Sequence, residues 1–587
     1  MPGKITVRDV LAFLDNGDES DVDMLSDSDD ESDLTTSGAN QVVDTDDQPS
    51  NSSDSDSSDD DVPLATYQRK ALTPPTTYTW QSIPYVAPDD VQFRGSTDVC
   101  HIASAESTPY TFLKTFITDD MLRMVAEETN KYSVELDGKA VNTSPQEIEQ
   151  FLGIYLLMGI AEMPNVRSYW ESETRYEPVA NVMARSRFEK LARVIHFTDN
   201  NTASDETKKD KLWKIRPWLQ ALRANFLQVP PEECQSVDEI IVPFKGRSHL
   251  KVYMPNKPHK WGFKVWGRSG SSGFLYDFDV YQGATTVDSD LGVSSSIVTK
   301  LTDTLPAGMK HKVYADNYFT SVPLVEKLKQ RDIFYIGTVR MNRVKNCKAS
   351  DDKSLKKSGR GTFEEKVETH TNTVCVRWCD NKVVSLISSF VGAEPIGKAK
   401  RWDKKEKKHI EIEKPAIVNE YNKFMGGIDL LNMCSNLYKY HMRSCRWYIY
   451  LWWHSIVMTL VNAWMLYRRY HKEIGTDSKQ ILPLRKFQSA CAQALTTAGR
   501  GKARARGRPS LAEAAALAEQ PPPRKRPAVK IAEDVRKDNF DHFPFWDNSR
   551  QRCKLCPSGV FSFVKCGKCN VHLCLNKTRN CFLAYHK

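Results

Sequence analysis

The chain has 587 residues, 40% of them hydrophobic, and a formal net charge of +8. This length and apolar content exclude wholesale disorder and predict several domains of roughly 100–200 residues each. Residues 1–62 have a net charge of −17, which leaves +25 on residues 63–587. A body this basic favours a polyanionic partner, and nucleic acid is the first candidate.

The 14 cysteines are unevenly distributed, because six of them crowd into the segment Cys553–Cys581. A secreted disulfide scaffold is small and rich in cysteine throughout, so this pattern predicts a reducing compartment and one metal-binding module. The N-terminal residues also lack the long apolar core of a signal peptide.

The N-terminal half of the chain changes composition twice. Residues 1–95 are rich in Asp and Ser and then in Pro and Thr, which predicts a disordered acidic region. Residues 105–235 repeat apolar positions at three- and four-residue spacing, so we expect the first part of a helical domain. From residue 236 to 340 the pattern becomes strand, strand, strand, helix, strand, helix, strand, which indicates an α/β layer fold.

The C-terminal half begins with a Lys-rich, mainly β segment at 341–415, which we interpret as an insertion, and 416–445 complete the α/β core. Residues 446–496 return to a helical pattern and include Trp447–Tyr467, 21 residues without a formal charge. A membrane span and a buried core helix both fit that length, and the polar His454 and Asn462 favour the core helix. A basic linker at 497–540 precedes a cysteine-rich module at 541–587.

Three aspartates are candidates for metal chemistry. Asp238 and Asp316 follow short apolar runs, where an α/β sheet presents side chains beyond its strand ends, and Asp429 follows Gly-Gly-Ile at the start of a predicted helix. Three carboxylates brought together can hold two Mg²⁺ ions about 4 Å apart and act on a phosphodiester. A single Asp after a strand is also a common turn former or helix cap, so composition leaves both interpretations open.

Several strings of the sequence, spread in order over about residues 105–587, resemble the piggyBac family of transposases. The strings before the predicted insertion are FLGIYLLMGI, RSRFEKLARVIHF, KIRPWL, SVDEIIVPFKGR, YMPNKPHKWGFKVW, YADNYFTSVPL and YIGTVR. After it come YNKFMGGIDLL and the C-terminal cysteine pairs. Asp238 matches the family's D-E strand motif, Asp316 its D-N-[WY]-[FY]-[TN]-S motif and Asp429 its G-G-[VI]-D motif.

The resemblance implies an α/β RNase H-like catalytic core with a mainly β insertion. A helical DNA-binding and dimerisation domain and a C-terminal cross-brace zinc finger flank this core. The three aspartates would be the catalytic ligands of two Mg²⁺ or Mn²⁺ ions. Family members often have a further Asp three residues after the third one, and this chain has Asn432 there. An amide oxygen can still bind Mg²⁺ but brings no charge, so we expect weaker metal affinity.

The cysteine-rich module offers seven evident zinc ligands, namely Cys553, Cys556, Cys566, Cys569, Cys574, Cys581 and His586. Structural zinc takes four N or S donors, so two ions need an eighth ligand. His542 and His572 are both available. We favour His542, because many family members have a histidine before the first CxxC, and expect both Zn²⁺ ions to be structural.

Basic residues suggest where DNA would bind. A cluster after the first catalytic strand can hold phosphates, or it can form a charged hairpin face; it consists of Lys245, Arg247, Lys251, Lys257, Lys260 and Lys264. Arg506 and Arg508 flank a glycine in a string similar to an AT-hook core, within a linker that can also be merely solvated. The family gives an aromatic residue after Arg446 a role in stacking on an unpaired base. Trp447 fits that role, or it is the first core residue of its helix.

The implied function is cut-and-paste DNA transposition. The family binds transposon terminal inverted repeats, cleaves through a hairpin intermediate and integrates at TTAA target sites. We therefore expect double-stranded DNA as partner, a homodimer or larger assembly, a nuclear location and no membrane. The alternative is a domesticated nuclear DNA-binding protein with little or no catalytic activity, which Asn432 favours and the intact set of three aspartates disfavours.

Overall fold

The computed structural model describes residues 77–104, 106–255, 257, 259–283, 291–403, 407–499, 536–538, 540–556 and 560–587. It divides into two compact units. The larger comprises Met1–Tyr169 and Tyr176–Gly499, and the smaller comprises Trp170–Arg175 and Arg500–Lys587. Each unit is considered by itself below.

The helices between residues 105 and 235 agree with the helical pattern predicted there, and a short strand precedes them. In chain order they are β1 (Trp80–Gln81), α1 (Pro109–Lys114), α2 (Asp119–Asp137), α3 (Pro145–Ile160), α4 (Glu177–Ala180), α5 (Arg185–Val194), α6 (Asp205–Lys209) and α7 (Arg216–Phe226). Local sequence explains their starts. Ser144 caps α3 by accepting a hydrogen bond from the Glu147 N–H, and Pro145 occupies the first helical position, where no N–H is needed.

The central elements of the larger unit form a mixed sheet with helices between its parallel strands. They are β2 (Cys234–Pro243), β3 (Val252–Tyr253), β4 (Trp261–Gly270), β5 (Leu275–Val280), α8 (Gly292–Thr302), β6 (Lys312–Ala315), α9 (Val322–Lys329) and β7 (Phe334–Thr338). β2 pairs antiparallel with β4, which pairs with β5, and β6 and β7 run parallel to β2 on its other side. The predicted order of strands and helices is therefore confirmed, except that the two-residue strand β3 was not predicted.

The segment predicted as an insertion does not form a separate sheet throughout. Its elements are α10 (Asp352–Ser358), β8 (Phe363–Glu368), β9 (Thr373–Cys379), β10 (Val383–Ser388), β11 (Gly397–Asp403) and β12 (Lys408–Lys414). Because β10 pairs antiparallel with β7, strands β8–β10 extend the central sheet to ten strands. β11 and β12 form a two-stranded sheet of their own.

The boundary predicted for the disordered N-terminal region was placed too far along the chain. Residues 77–95 are described, and Trp80 in β1 pairs antiparallel with Glu368 in β8. The Trp80 indole N–H also donates to the Lys345 carbonyl at 3.1 Å. The backbone hydrogen bonds of this edge strand are made with a segment almost 300 residues away in the chain. Such pairing leaves no local signal in composition. Residues 1–76 lie outside the described part.

The last helices of the larger unit complete its core. They are α11 (Ala416–Phe424), α12 (Gly427–Leu437), α13 (Trp447–Glu473) and α14 (Leu484–Thr497). α13 is long and apolar enough to cross a membrane by length and composition, but 94% of its most apolar 18-residue stretch is buried inside the protein. Burial of this kind is typical of a core helix. The Asn462 side chain bonds the backbone N–H and C=O of Leu275 in β5, each at 2.8 Å, and so fastens α13 to the sheet.

The smaller unit contains the cysteine-rich module. Its described elements are the antiparallel pair β13 (Pro544–Arg552) and β14 (Phe561–Cys566) and the helix α15 (Cys581–His586). Its core consists largely of cysteines, together with Leu573, Phe582 and Tyr585. A core this small buries little apolar surface, so we expect its stability to depend on bound metal.

Candidate active site and metal centres

Asp238 and Asp316 come together because of the register between two parallel strands. Val237 in β2 pairs with Ala315, the last residue of β6, and an aspartate follows each of them. The Asp316 carboxylate accepts a hydrogen bond from the Tyr318 N–H at 2.9 Å, which fixes it in the turn after β6. Strand pairing alone therefore brings two of the three predicted carboxylates side by side.

Asp429 reaches the same place through a close approach of α12 to the sheet. Gly427, the first residue of this helix, is buried, and a Cβ there would lie 2.4 Å from the Gly270 carbonyl oxygen in β4. Only glycine permits this contact, which sets the first turn of α12, with Asp429, against β2 and β4. In the G-G-I-D string, Gly427 is thus explained by packing against the sheet, and Asp429 by its proposed role as a metal ligand.

The pKa values of all three aspartates are raised. Burial, followed by the negative charges of Asp316 and Asp429, raises the pKa of Asp238 to about 8. Burial also raises the pKa of Asp316. The Asp429 side chain is exposed, yet its surroundings still raise its pKa, and the positive charge of Lys257 opposes that shift. A raised pKa of this kind means that nearby positive charge does not fully offset the cost of ionising the carboxylates.

Among the described residues, the three aspartates do not form one of the groups whose His, Cys, Asp or Glu ligand atoms all lie within 4.8 Å of one another.

Asn432 lies one helical turn after Asp429 in α12 and is partly buried. Residues three apart share a helix face, so Asn432 lies on the same side of α12 as the third carboxylate. Its backbone carbonyl accepts a hydrogen bond from the Asn436 side chain at 2.9 Å.

Two of the predicted basic residues lie next to the aspartates and pair with Glu239. Lys257 and Lys264 contact its two carboxylate oxygens at 2.8 Å and 2.6 Å. Lys264 also lies over the Tyr318 ring, 4.6 Å from its centroid. Sequence reasoning did not single out Glu239, although its position directly after Asp238 in a strongly basic neighbourhood was an available signal.

The other predicted basic residues of this region lie farther along the same strands and loops. Lys251 lies over the Trp261 ring at 4.7 Å and donates to the Gly246 carbonyl at 3.0 Å. The side chains of Lys245, Arg247 and Lys260 are exposed. Their exposure and charge are compatible with phosphate contacts, which remain a prediction.

Arg446 has a structural role that the sequence did not predict. Its guanidinium donates to the carbonyls of Ala192 and Ile195, the latter at 3.2 Å, at the end of α5. Helix-terminal carbonyls have no partner within the helix, so Arg446 supplies one. Trp447 is half-buried as the first residue of α13, with its ring edge-on to Tyr448.

Arg343 is a second residue that sequence reasoning missed. Its guanidinium donates to the carbonyls of Asn317 at 3.2 Å and Tyr318 at 2.6 Å, and thereby fixes the turn that follows Asp316. The only signal was a basic residue shortly after the YIGTVR string. Arg506 and Arg508, predicted in the linker, lie outside the described residues.

The smaller unit brings all eight predicted zinc ligands into two groups of four. In each group the ligand atoms lie within 4.8 Å of one another, and the groups are Cys553, Cys556, Cys574 and Cys581, and His542, Cys566, Cys569 and His586. The pairs alternate along the chain in a cross-brace. His572 belongs to neither group and instead contacts Asp547 at 3.0 Å.

The histidines of the second group are oriented as metal ligands usually are. His586 Nδ1 donates to the Phe582 carbonyl at 2.7 Å, and its buried Nε2 has no hydrogen-bond partner. His542 Nδ1 lies 3.4 Å from the sulfur atoms of both Cys566 and Cys569, and its Nε2 contacts Asp538 at 3.0 Å. A ring nitrogen bonded to a carbonyl or carboxylate leaves the other nitrogen free for a metal. Both groups therefore fit zinc.

Comparisons with known proteins agree with these features. A family model described as Transposase IS4 matches residues 108–464. Human piggyBac transposable element-derived protein 3 is 30% identical over 487 residues, which are 82% of this chain and 76% of that protein. Human piggyBac transposable element-derived protein 2 is 28% identical over 494 residues, 83% of this chain and 77% of that protein.

A solved structure shares the fold. The chain of a piggyBac transposase synaptic complex with hairpin DNA, determined by cryo-EM, superposes with a TM-score of 0.61 at 21% identity. The match covers 82% of this chain and 98% of the solved one. From the family match and the relatives together, the chain belongs to the piggyBac family of transposases and transposase-derived proteins.

Proposed function

We propose that this protein is a DNA transposase that cleaves and joins DNA strands at the site formed by Asp238, Asp316 and Asp429. The observation that carries the proposal is the register of β2 and β6, which sets Asp238 beside Asp316 with a raised pKa. Membership of a transposase family makes strand cleavage the chemistry that such a site would serve.

The topology supports an RNase H-like core. The strand order β5-β4-β2-β6-β7, with three antiparallel strands followed by two parallel ones, is the order expected for that fold. In this arrangement the first two carboxylates come from adjacent central strands and the third comes from a later helix, on the far side of the insertion. Asp238 lies within β2, Asp316 directly follows β6, and Asp429 lies in the first turn of α12.

The donor set fits Mg²⁺ or Mn²⁺, since both prefer carboxylate oxygens. When bound, two such ions supply activation of the attacking oxygen and stabilisation of the departing one. Asp238 and Asp316 would bridge or flank them, and Asp429, with or without the Asn432 amide oxygen, would complete the set. The Tyr318 N–H keeps Asp316 oriented, and Lys257 and Lys264 bring positive charge to the place where a phosphate would lie.

The substrates follow from the family. We infer transposon terminal inverted repeats and a TTAA target as the DNA partners, with a homodimer or larger assembly in the nucleus, because two transposon ends must be handled together. The solved relative was captured with hairpin DNA, which supports a hairpin intermediate. The charge of +25 on residues 63–587 supports DNA capture that weakens steeply as salt rises.

In this proposal the smaller unit is a zinc finger with two structural Zn²⁺ ions. Every position around each ion would be filled by protein, since each group already has four N or S donors. Its role would be to hold the transposon end, as the family resemblance implies.

A second candidate function is that of a nuclear DNA-binding protein with little or no catalytic activity. Asn432 favours it, because one carboxylate common in the family is an amide here. The human relatives are themselves described as transposable element-derived proteins, which makes such a history plausible for this chain.

A strand-transfer assay separates the two functions. Purified protein would be incubated with DNA carrying its matched terminal repeats, a TTAA target and either Mg²⁺ or Mn²⁺. We expect cleavage and joining by the wild type and at least a 100-fold loss in Asp316→Asn, a variant of nearly equal shape. Equal inactivity of both proteins, with DNA binding intact, would establish the second candidate instead.

A further inference from the structure

Glu239 holds two ammonium groups at the edge of the candidate active site. Its carboxylate oxygens contact Lys257 and Lys264 at 2.8 Å and 2.6 Å, so one negative charge faces two positive ones. The group of three side chains therefore has a net charge of +1, which can interact with other anionic groups. Glu239 directly follows Asp238 in β2, and Lys264 lies over the ring of Tyr318, whose N–H donates to Asp316.

The two lysines differ in their exposure and in the elements that carry them. Lys264 is part of β4, and its side chain is only 15% exposed. Lys257 lies in the loop between β3 and β4, and its side chain is 44% exposed. A hydrogen bond from the Met254 N–H to the Lys260 carbonyl, at 2.8 Å, connects the two ends of this loop. Lys264 is thus the more buried partner of Glu239 and Lys257 the more exposed one.

Lys257 interacts electrostatically with all the carboxylates of the site. Burial works to lower its pKa, but Glu239, Asp238 and Asp429 outweigh burial and raise it. In return, its positive charge counteracts the upward shift that desolvation causes in the pKa of Asp316 and of Asp429. Its ammonium group therefore occupies the same field as the divalent cations that the site would bind.

We infer that Lys257 is the built-in counterion of the metal-free site and is released to a DNA phosphate when divalent cations bind. The inference rests on the proposed function and deepens it. Cations among the carboxylates repel the ammonium group, and the exposed loop position lets it turn towards a phosphate of the bound strand. Lys264 stays behind and keeps Glu239 paired, so the exchange leaves no buried carboxylate without a partner.

The exchange makes two measurable claims. Metal must compete with Lys257 in the DNA-free protein, so removing the ammonium should strengthen metal binding. DNA must relieve that competition in the wild type, because a phosphate draws Lys257 away. Metal and DNA should therefore strengthen each other's binding, and part of this coupling should depend on Lys257.

The test measures Mn²⁺ affinity by electron paramagnetic resonance, with and without a short DNA duplex. The proteins are the full-length wild type, Lys257→Met, Lys257→Arg and, as a control in the same loop, Lys260→Met. Without DNA we expect Lys257→Met to bind Mn²⁺ on the order of 10-fold more tightly, since a nearby like charge is gone. Lys257→Arg and Lys260→Met should bind Mn²⁺ as the wild type does in the absence of DNA. DNA should tighten binding less in Lys257→Met than in the wild type.

Unchanged or weaker Mn²⁺ binding by Lys257→Met would overturn the inference. An Asp238→Asn protein distinguishes this failure from failure of the proposed function. If Asp238→Asn loses Mn²⁺ binding while Lys257→Met matches the wild type, the metal site stands and only the counterion role is refuted. If the wild type binds no Mn²⁺, or Asp238→Asn binds it equally well, the proposed site is refuted and the counterion role with it.

Discussion

Asp238 and Asp316 are neighbours across two parallel strands, one residue beyond the paired Val237 and Ala315. Backbone hydrogen bonding, rather than attraction between side chains, holds these two like charges together. Burial and the neighbouring carboxylates raise the pKa of Asp238 to about 8, so at neutral pH this site retains a proton until a cation replaces it.

Metal binding should therefore release a proton. A carboxylate must be ionised to bind Mg²⁺ or Mn²⁺, so apparent affinity should rise with pH from about 6 to 8 and then level off. Calorimetric titration with Mn²⁺ at pH 7, in two buffers of different ionisation enthalpy, measures the number of protons released. Asp238→Asn should lose most of this release, and identical heats in both buffers for the wild type would contradict the prediction.

The same raised pKa predicts that Asp238→Asn stabilises the metal-free protein. The unfolded carboxyl ionises near pH 4 and the folded one near pH 8, so its contribution to stability is complete below pH 4 and is lost as pH rises through 8. The amide has no such loss. We expect its free energy of unfolding to exceed that of the wild type by roughly 3–5 kcal/mol at pH 8 and by little at pH 4.

Denaturant unfolding in the presence of a chelator measures this difference. Asp332→Asn, at an exposed position in a turn with positive φ, is the matched control and should change stability little at either pH. A gain for Asp238→Asn that is equal at pH 4 and pH 8 would show that ionisation of this carboxyl is not the cause.

Much of the fold could be predicted because its signals are local. The apolar residues before Asp316 and the change from helical to strand period both appear in short windows of sequence. Pairing between distant segments left no such signal. Neither the extension of the sheet through β10 nor the bonds from Arg446 to the end of α5, some 250 residues away in the chain, could be read from composition.

The zinc ligands illustrate the same limit. Spacing identifies the CxxC pairs, but it does not choose between His542 and His572, which are both close to cysteines in the sequence. The choice depends on the pairing of β13 with β14, which sets His542 beside Cys566 and leaves His572 in contact with Asp547. Family resemblance, rather than spacing, favoured His542.

Metal content should distinguish these two histidines. Wild-type protein should contain about two zinc ions per chain by mass spectrometry, and His542→Ala should retain about one after mild dialysis against a chelator. His572→Ala should keep both, because it removes a contact with Asp547 and no ligand. Loss of zinc from His572→Ala but not from His542→Ala would reverse the assignment.

Arg446 should matter for stability even without DNA. Arg446→Met removes hydrogen bonds to the Ala192 and Ile195 carbonyls and should lower the free energy of unfolding by about 1–3 kcal/mol. Arg443→Met, at an exposed site three residues earlier, should lower it by less than about 0.5 kcal/mol. Chemical denaturation of the two DNA-free variants tests this, and equal stability would assign Arg446 to DNA binding alone.

Lys439 is the reverse case, a partly buried cation whose removal should stabilise the protein. Its ammonium lies 2.9 Å from Nδ1 of the buried His454, and burial lowers the pKa of Lys439 to about 8. The unfolded side chain holds its proton up to about pH 10.4, so the wild type gains stability as pH rises from about 8 to 10. Lys439→Met lacks this dependence and also loses one hydrogen bond, which costs about 1 kcal/mol.

At pH 7 Lys439→Met should therefore unfold with a free energy about 1–2 kcal/mol higher than the wild type, and the difference should shrink or change sign by pH 9.5. The sign follows from the cost of burying a charge, which exceeds the value of the single bond to His454 only while Lys439 is protonated. Urea unfolding at the two pH values measures it. A variant less stable than the wild type at pH 7, by an amount that does not change with pH, would mean that the bond to His454 outweighs the cost of burial.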